Sequence, residues 1–70
     1  MPTVGLIGIG LVGAALAERM LDAGHAVVGH DVDPTRCALL RSMGGTPVDT
    51  SSAVIDAARC VILALLQPVK

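Results

Sequence analysis

Aromatic residues are entirely missing from this chain of 70 residues, which contains no Phe, Tyr or Trp. Their absence removes the side chains on which nucleic-acid bases stack. Five basic residues stand against six acidic ones, and the formal net charge is −1, so no basic surface for nucleic acid or for an anionic membrane is predicted. Because 53% of the residues are hydrophobic, we expect a packed core made of aliphatic side chains.

Residues that often carry catalysis or bind metals are scarce. Cys37 and Cys60 have no metal-ligand spacing, and two thiols do not make a disulfide framework. We expect both to be buried and reduced in a cytoplasmic protein, with no metal site. Lys70 is the only lysine, and neither His25 nor His30 has a partner acid positioned for proton relay, so no catalytic residue is predicted.

Long uninterrupted apolar runs are also missing. The longest segment without a charged residue, residues 2–17, contains four glycines and is too short to span a bilayer. No basic segment precedes it, as a secretory signal peptide would require. The sequence therefore predicts a protein without a membrane segment.

Apolar runs separated by turn residues predict strands alternating with helices. The predicted strands are residues 3–9, 26–31, 46–48 and 60–66, and the predicted helices are residues 11–23, 34–43 and 51–58. In the first helix, Val12, Leu16 and Met20 recur at helical spacing, with Gly13 and Ala17 beside them, which predicts one apolar, core-facing side. Short connections between continuously apolar strands favour right-handed crossovers and a parallel sheet. We therefore expect an α/β fold, a partial Rossmann fold with sheet order 3-2-1-4 and crossover helices.

Three glycines lie where the first strand passes into the first helix. Gly8, Gly10 and Gly13 form the pattern G-x-G-x-x-G, which is weak alone but more specific within a βαβ unit. The first allows a tight turn, the second a close approach of a pyrophosphate, and the third close packing of the helix on the sheet. The amides of Gly10, Leu11 and Val12 are expected to point at the phosphates. A turn used only for packing is the alternative, and a P-loop is excluded because no Lys-Ser/Thr follows the glycines.

An acidic residue ends the second predicted strand. Asp31 follows Gly13 by about the distance seen in dinucleotide-binding units. We expect its carboxylate to accept hydrogen bonds from the adenosine ribose and to repel a 2′-phosphate, so NAD is favoured over NADP, although Arg36 is close enough in sequence to bind a phosphate. Asp33 is interpreted as a helix cap. In the glycine turn, the predicted cofactor-binding residues are Gly8, Ile9, Gly10, Leu11, Val12 and Gly13. At the end of the second predicted strand they are Asp31 and, on the adenine side, His30.

The segments "GLIGIGLVG", "ERMLDAGHAVVGHDVDP" and "VILALLQP" resemble the amino-terminal part of the β-hydroxyacid dehydrogenases. That family includes 3-hydroxyisobutyrate dehydrogenase, tartronate semialdehyde reductase and 6-phosphogluconate dehydrogenase. The resemblance implies hydride transfer between NAD and a small β-hydroxyacid, with Leu65 and Leu66 near the nicotinamide-side ribose. The chain departs from the family pattern at Val12, where Met is common, at Arg59, where an acid is usual, and at Gln67, which separates Leu66 from the following proline.

The resemblance also implies that more protein belongs with this segment. In the family, the catalytic lysine, the substrate-anchoring serine-glycine segment and an all-helical second domain follow later in the chain. We therefore expect residues 1–70 to be the amino-terminal part of a dinucleotide-binding domain, inactive alone. An exposed sheet edge and a partly uncovered sheet face predict self-association or a homo-oligomer. A non-catalytic nucleotide-sensing module and an S-adenosylmethionine-dependent methyltransferase fragment are the alternatives.

Overall fold

Strands and helices alternate along the chain, as the sequence predicts. The computed structural model describes residues 3–63. Within them lie the strands β1 (Thr3–Ile7), β2 (Ala26–His30), β3 (Thr46–Pro47) and β4 (Cys60–Leu63), and the helices α1 (Leu11–Asp22), α2 (Pro34–Ser42) and α3 (Ser51–Ala57). The first strand is shorter than predicted because Gly8 has a φ of +95°, which turns the chain away from the strand direction.

The four described strands form one sheet in the order β3-β2-β1-β4, and all three pairs are parallel. This confirms the predicted partial Rossmann fold. Ile7 at the end of β1 pairs with His30 at the end of β2. The register therefore brings the glycine turn after β1 and Asp31 after β2 to the same edge of the sheet.

The main core lies between the sheet and the helices α1 and α2. Its buried members are Leu6, Ile9, Ala17, Val27 and Leu40. The predicted apolar face of α1 is confirmed at Gly13 and Ala17, which are buried, and at Met20, which packs against the core, whereas Val12 is 50% exposed. Small residues let the helix axis approach the sheet, and larger side chains then lie beside the line of contact rather than on it.

The opposite face of the sheet packs against α3. Gly5 and Leu6 are neighbours on β1, so their side-chain directions point to opposite faces. An added Cβ on Gly5 would lie 2.6 Å from Val54 Cγ1, and Val54 is fully buried. This helix covers part of the sheet face that we expected to be partly uncovered. Leu63 remains 69% exposed on the edge strand β4, and self-association through this region stays a prediction.

The two cysteines do not follow the expectation that both are buried. Cys60 is exposed and Cys37 is half-buried. Cys60 lies on β4, the edge strand of the described sheet, so one side of the strand has no neighbouring strand within residues 3–63. Cys37 lies on α2 and its thiol donates a hydrogen bond of 3.4 Å to the backbone oxygen of Asp31. Both thiols are free.

The helix starts show how local sequence sets the element boundaries. The carboxylate of Asp33 accepts a hydrogen bond of 2.9 Å from the N–H of Thr35, which confirms its role as the N-cap of α2. Thr50 caps α3 in the same way, with its hydroxyl 3.1 Å from the N–H of Ala53. The longest described helix, α1, has 12 residues, and no helix in residues 3–63 is long and apolar enough to cross a membrane.

The close approach of α3 to β1 predicts that Gly5 cannot carry a side chain. In Gly5→Ala the new methyl group would overlap Val54 Cγ1 and lie 2.8 Å from Ala58 Cβ, so we expect the free energy of unfolding to fall by about 1–3 kcal/mol. Denaturant unfolding followed by circular dichroism measures this change. The matched control is Gly10→Ala, since a Cβ at Gly10 meets no atom of residues 3–63 within 4 Å. Equal losses in the two variants would contradict the packing role of Gly5.

Candidate dinucleotide-binding site

The turn between β1 and α1 is shaped by two glycines with different roles. Gly8 has a φ of +95°, a conformation that side chains disfavour, and its N–H donates to the backbone oxygen of His30 at 2.9 Å. Gly10 is the N-cap of α1, with an ordinary φ of −82°. Its carbonyl accepts the first intrahelical bond, from the N–H of Ala14 at 2.8 Å. The chain therefore leaves the sheet and enters the helix within three residues.

The space above Gly10 is open. An added Cβ there would meet no protein atom within 4 Å, so neither conformation nor packing against the described residues requires glycine at this position. Among the described residues no side chain caps α1, and the first turn of this helix contains no acidic residue. The first N–H groups of a helix have no intrahelical acceptor and attract anions. An uncapped helix start beneath open space fits a phosphate group.

The residues after Gly10 divide between the core and the surface. Gly13 is buried against the sheet, which matches the task predicted for the third glycine. Leu11 and Val12 are 80% and 50% exposed, so the backbone of the first helical turn lies at the surface. Ile9 is fully buried through its side chain.

Asp31 lies beside this turn and already accepts two backbone hydrogen bonds. Its Oδ2 is 2.7 Å from the N–H of Ile9, and its Oδ1 is 2.9 Å from the N–H of Asp33. Burial acts to raise the pKa of Asp31, but these two hydrogen bonds, together with the charges of Arg36 and His30, outweigh it and hold the pKa below its ordinary value. Asp31 is therefore an anionic acceptor at neutral pH.

A cleft of about 530 Å3 opens next to Asp31, between the end of β2, the helix α2 and the segment after β3. It is lined by His30, Asp31, Val32, Pro34, Cys37, Ala38, Arg41, Pro47, Val48 and Asp49. The Nδ1 atom of His30 is 3.0 Å from the backbone oxygen of Val48, and it donates this bond when it carries the proton. The bond joins the two walls of the cleft.

The structure thus brings the glycine turn, His30 and Asp31 to one edge of the sheet. Leu65 and Leu66, the predicted contacts of the nicotinamide-side ribose, lie outside the described residues. Sequence reasoning missed the wall formed by residues 47–49, although parallel pairing of β3 with β2 carries the signal for it. It also missed the bond between Ile9 and Asp31. Within residues 3–63, no cluster of His, Cys, Asp or Glu side chains is able to hold a metal ion.

A parallel sheet with this strand order, a glycine turn opening a helix and an acid after the second strand defines a Rossmann unit for a dinucleotide. Residues 3–70 match the model of the NAD binding domain of 6-phosphogluconate dehydrogenase. The chain belongs to this family, which confirms the resemblance read from its sequence. A curated relative, the NAD(+)-dependent, decarboxylating 6-phosphogluconate dehydrogenase of Haloferax volcanii, is 36% identical over 53 residues, which are 76% of this chain and 18% of the relative.

Solved structures of longer enzymes contain the same unit. The 3-hydroxyisobutyrate dehydrogenase of Mycobacterium tuberculosis has a TM-score of 0.88 and 29% identity, over 93% of this chain and 22% of that one. An imine reductase from a Pseudomonas species has a TM-score of 0.83 and 31% identity, over 89% of this chain and 22% of that one. The chain therefore spans about a fifth of the length of the proteins that it matches.

The hydrogen bonds of Asp31 predict a specific dependence of stability on pH. A carboxyl group with a lowered pKa in the folded state contributes stability above its unfolded pKa, and this contribution is lost as the pH falls through the folded pKa. The ordinary value is 3.8. The difference in unfolding free energy between the unmodified chain and Asp31→Ala should therefore stay constant around neutral pH and shrink below about pH 4.

Denaturant unfolding at a series of pH values measures this difference. Asp56→Ala is the control, because Asp56 is an exposed residue of α3 whose carboxylate accepts no hydrogen bond among residues 3–63. If the difference in unfolding free energy between the unmodified chain and Asp31→Ala persists unchanged into strong acid, the charge of Asp31 does not stabilise the fold.

Proposed function

We propose that the chain is the NAD-binding portion of an oxidoreductase of the β-hydroxyacid dehydrogenase type. The observation that carries this proposal is the open space above Gly10, at an uncapped helix start, directly beside the anionic acceptor Asp31. A packing turn does not explain the unfilled space. The family match supports the dehydrogenase over the sensing module and the methyltransferase.

The dinucleotide lies across the carboxyl edge of the sheet in this proposal. The pyrophosphate accepts hydrogen bonds from the amides of Gly10, Leu11 and Val12, where the helix dipole favours negative charge. The adenosine ribose donates its hydroxyls to Asp31. The adenine ring enters the cleft beside His30. The volume of this cleft, about 530 Å3, is ample for one flat base.

NAD is the proposed cofactor because of the charge at the ribose position. An ionised carboxylate only accepts hydrogen bonds, so it suits the two ribose hydroxyls and repels a 2′-phosphate. The positive charge of Arg36 lies close enough to Asp31 to help lower the pKa of its carboxyl group. With the carboxylate and the guanidinium partly cancelling each other, less positive charge is left for a phosphate. The NAD(+)-dependent relative supports this choice.

The reaction proposed for the longer protein is hydride transfer with a small β-hydroxyacid. The bound nicotinamide supplies the hydride chemistry, and this chain's residues bind and orient the other half of the cofactor. Relatives named for three different substrates share this unit, which supports a role in cofactor binding rather than in substrate choice. Because residues 3–63 present no acid–base pair beside the open turn, we propose that this chain alone does not turn over substrate.

Filling the space above Gly10 should abolish dinucleotide binding. In Gly10→Val the branched side chain would occupy the position of the pyrophosphate, and a φ of −82° is compatible with Val, so the fold should persist. We expect the affinity for NADH to fall by at least about 100-fold, which equals about 2.8 kcal/mol or one to two hydrogen bonds to a charged group. Titration calorimetry suits this measurement because the chain has no Trp whose fluorescence quenching could report binding.

The control for this substitution is Ala15→Val, which places the same branched side chain at an exposed position of α1, five residues beyond Gly10. It should leave the affinity for NADH within about twofold of the original. Unchanged NADH affinity in a folded Gly10→Val chain would assign the glycine to packing alone.

The carboxylate of Asp31 should set the preference between the two nicotinamide cofactors. We expect NADH to bind at least about tenfold more tightly than NADPH, a difference of about 1.4 kcal/mol, because the 2′-phosphate meets an anion. Asp31→Ala removes both the ribose acceptor and the repulsion, so the two affinities should converge. Calorimetric titration of both cofactors measures this, and equal affinities in the unmodified chain would remove the ribose role from Asp31.

A further inference from the structure

The carboxylate of Asp31 is engaged before any ligand is present. One oxygen accepts the N–H of Ile9 at 2.7 Å, within the glycine turn, and the other accepts the N–H of Asp33 at 2.9 Å. Each oxygen keeps a further lone pair. Two acceptor positions are therefore left for two neighbouring ribose hydroxyls, so a second role of Asp31 is compatible with the proposed one.

The turn is attached to the end of β2 by two consecutive amides. The N–H of Gly8 donates to the backbone oxygen of His30 at 2.9 Å, a bond that any residue at position 30 would allow. The N–H of Ile9 donates to the side chain of Asp31. This second bond depends on the residue type at position 31.

The peptide between Gly8 and Ile9 needs this bond because its own residues do not fix its direction. Glycine occupies positive and negative φ about equally well, so the φ of +95° at Gly8 is one of several accessible values. The side chain of Ile9 is fully buried and anchors one end of the turn. The bond to Asp31 selects the orientation of this peptide, one residue before Gly10.

We propose that Asp31 is a positioning residue for the pyrophosphate turn, in addition to being the acceptor for the ribose. This inference rests on the proposed function, since it assigns a second task within the same site. By holding the N–H of Ile9, Asp31 keeps the next amides, at Gly10 and Leu11, directed at the open space before the phosphates arrive. Part of its effect on affinity is then independent of the ribose.

A ligand without ribose hydroxyls separates the two roles. ADP and 2′,3′-dideoxy-ADP carry the same diphosphate, and only ADP donates to Asp31 from its ribose. We expect Asp31→Ala to lower the affinity for 2′,3′-dideoxy-ADP by at least about fivefold, the equivalent of one net hydrogen bond. The affinity for ADP should fall by a larger factor. Calorimetric titration of both compounds into the full chain gives the four affinities that this comparison needs.

Asp33→Ala is the matched control. It removes the neighbouring carboxylate, which caps α2 through Thr35, but it leaves the backbone N–H that Asp31 accepts and the bond to Ile9. The affinity for 2′,3′-dideoxy-ADP should then stay within about twofold of the original. Asp31→Leu serves if Asp31→Ala does not fold, because its side chain has a branched shape close to that of Asp and accepts neither of the two backbone bonds.

Amide hydrogen exchange in the ligand-free chain gives a readout that a ribose contact cannot move. The N–H of Ile9 should exchange slowly in the unmodified chain and in Asp33→Ala, and at least about fivefold faster in Asp31→Ala. Equal affinities of the unmodified chain and Asp31→Ala for 2′,3′-dideoxy-ADP, with ADP weakened, would overturn the positioning role and leave the proposed function intact. An unmodified chain that binds neither compound would overturn the proposed function, and this inference with it.

Discussion

The positive φ of Gly8 is the constraint on which the rest of the site depends. At +95° it ends β1 at Ile7 and redirects the chain, so that α1 begins only four residues later, at Leu11. The helix start thereby lies directly at the carboxyl edge of the sheet, next to the end of β2. A side chain at position 8 would strain this conformation and, with it, the turn whose Ile9 N–H donates to the carboxylate of Asp31.

Small residues set the distances between the layers. Gly13 and Ala17 bring α1 close to the sheet, and Gly5 makes room for Val54 of α3 on the other face. With no aromatic residue in the chain, the space between layers is filled by branched aliphatic side chains such as Leu6. Close layers and modest side-chain volumes are consistent with each other, since interiors are packed without large voids.

The negative charge of Asp31 beside the proposed phosphate site would repel a phosphate if neighbouring groups did not balance it. The charge of Asp31 is stabilised by two backbone amides and by the nearby Arg36. The amides of the α1 start are separate donors, so the proposed phosphate site is distinct from the fixed anion at the same edge of the sheet. In the proposed function, this division would let one short βαβ segment discriminate between ribose hydroxyls and an additional phosphate.

The amino-acid sequence by itself determined the order of the elements, the parallel sheet and the motif at Gly8, Gly10 and Gly13, because these depend on local periodicity and on the conformational range of glycine. It also determined the cap at Asp33, which is a contact between near neighbours. The tertiary structure alone decided that Asp31 accepts the N–H of Ile9, since the two residues lie 22 positions apart and meet only through strand register.

The same reason explains the expectations that were wrong. Burial of Val12 and Cys60 was inferred from residue type and spacing, but burial depends on which elements cover a position. Val12 lies at the surface because α1 contacts the sheet through its small residues, and Cys60 because β4 is an edge strand of the described sheet. Local pattern specifies which elements form, whereas the packing of those elements specifies which side chains and amides remain open to a ligand.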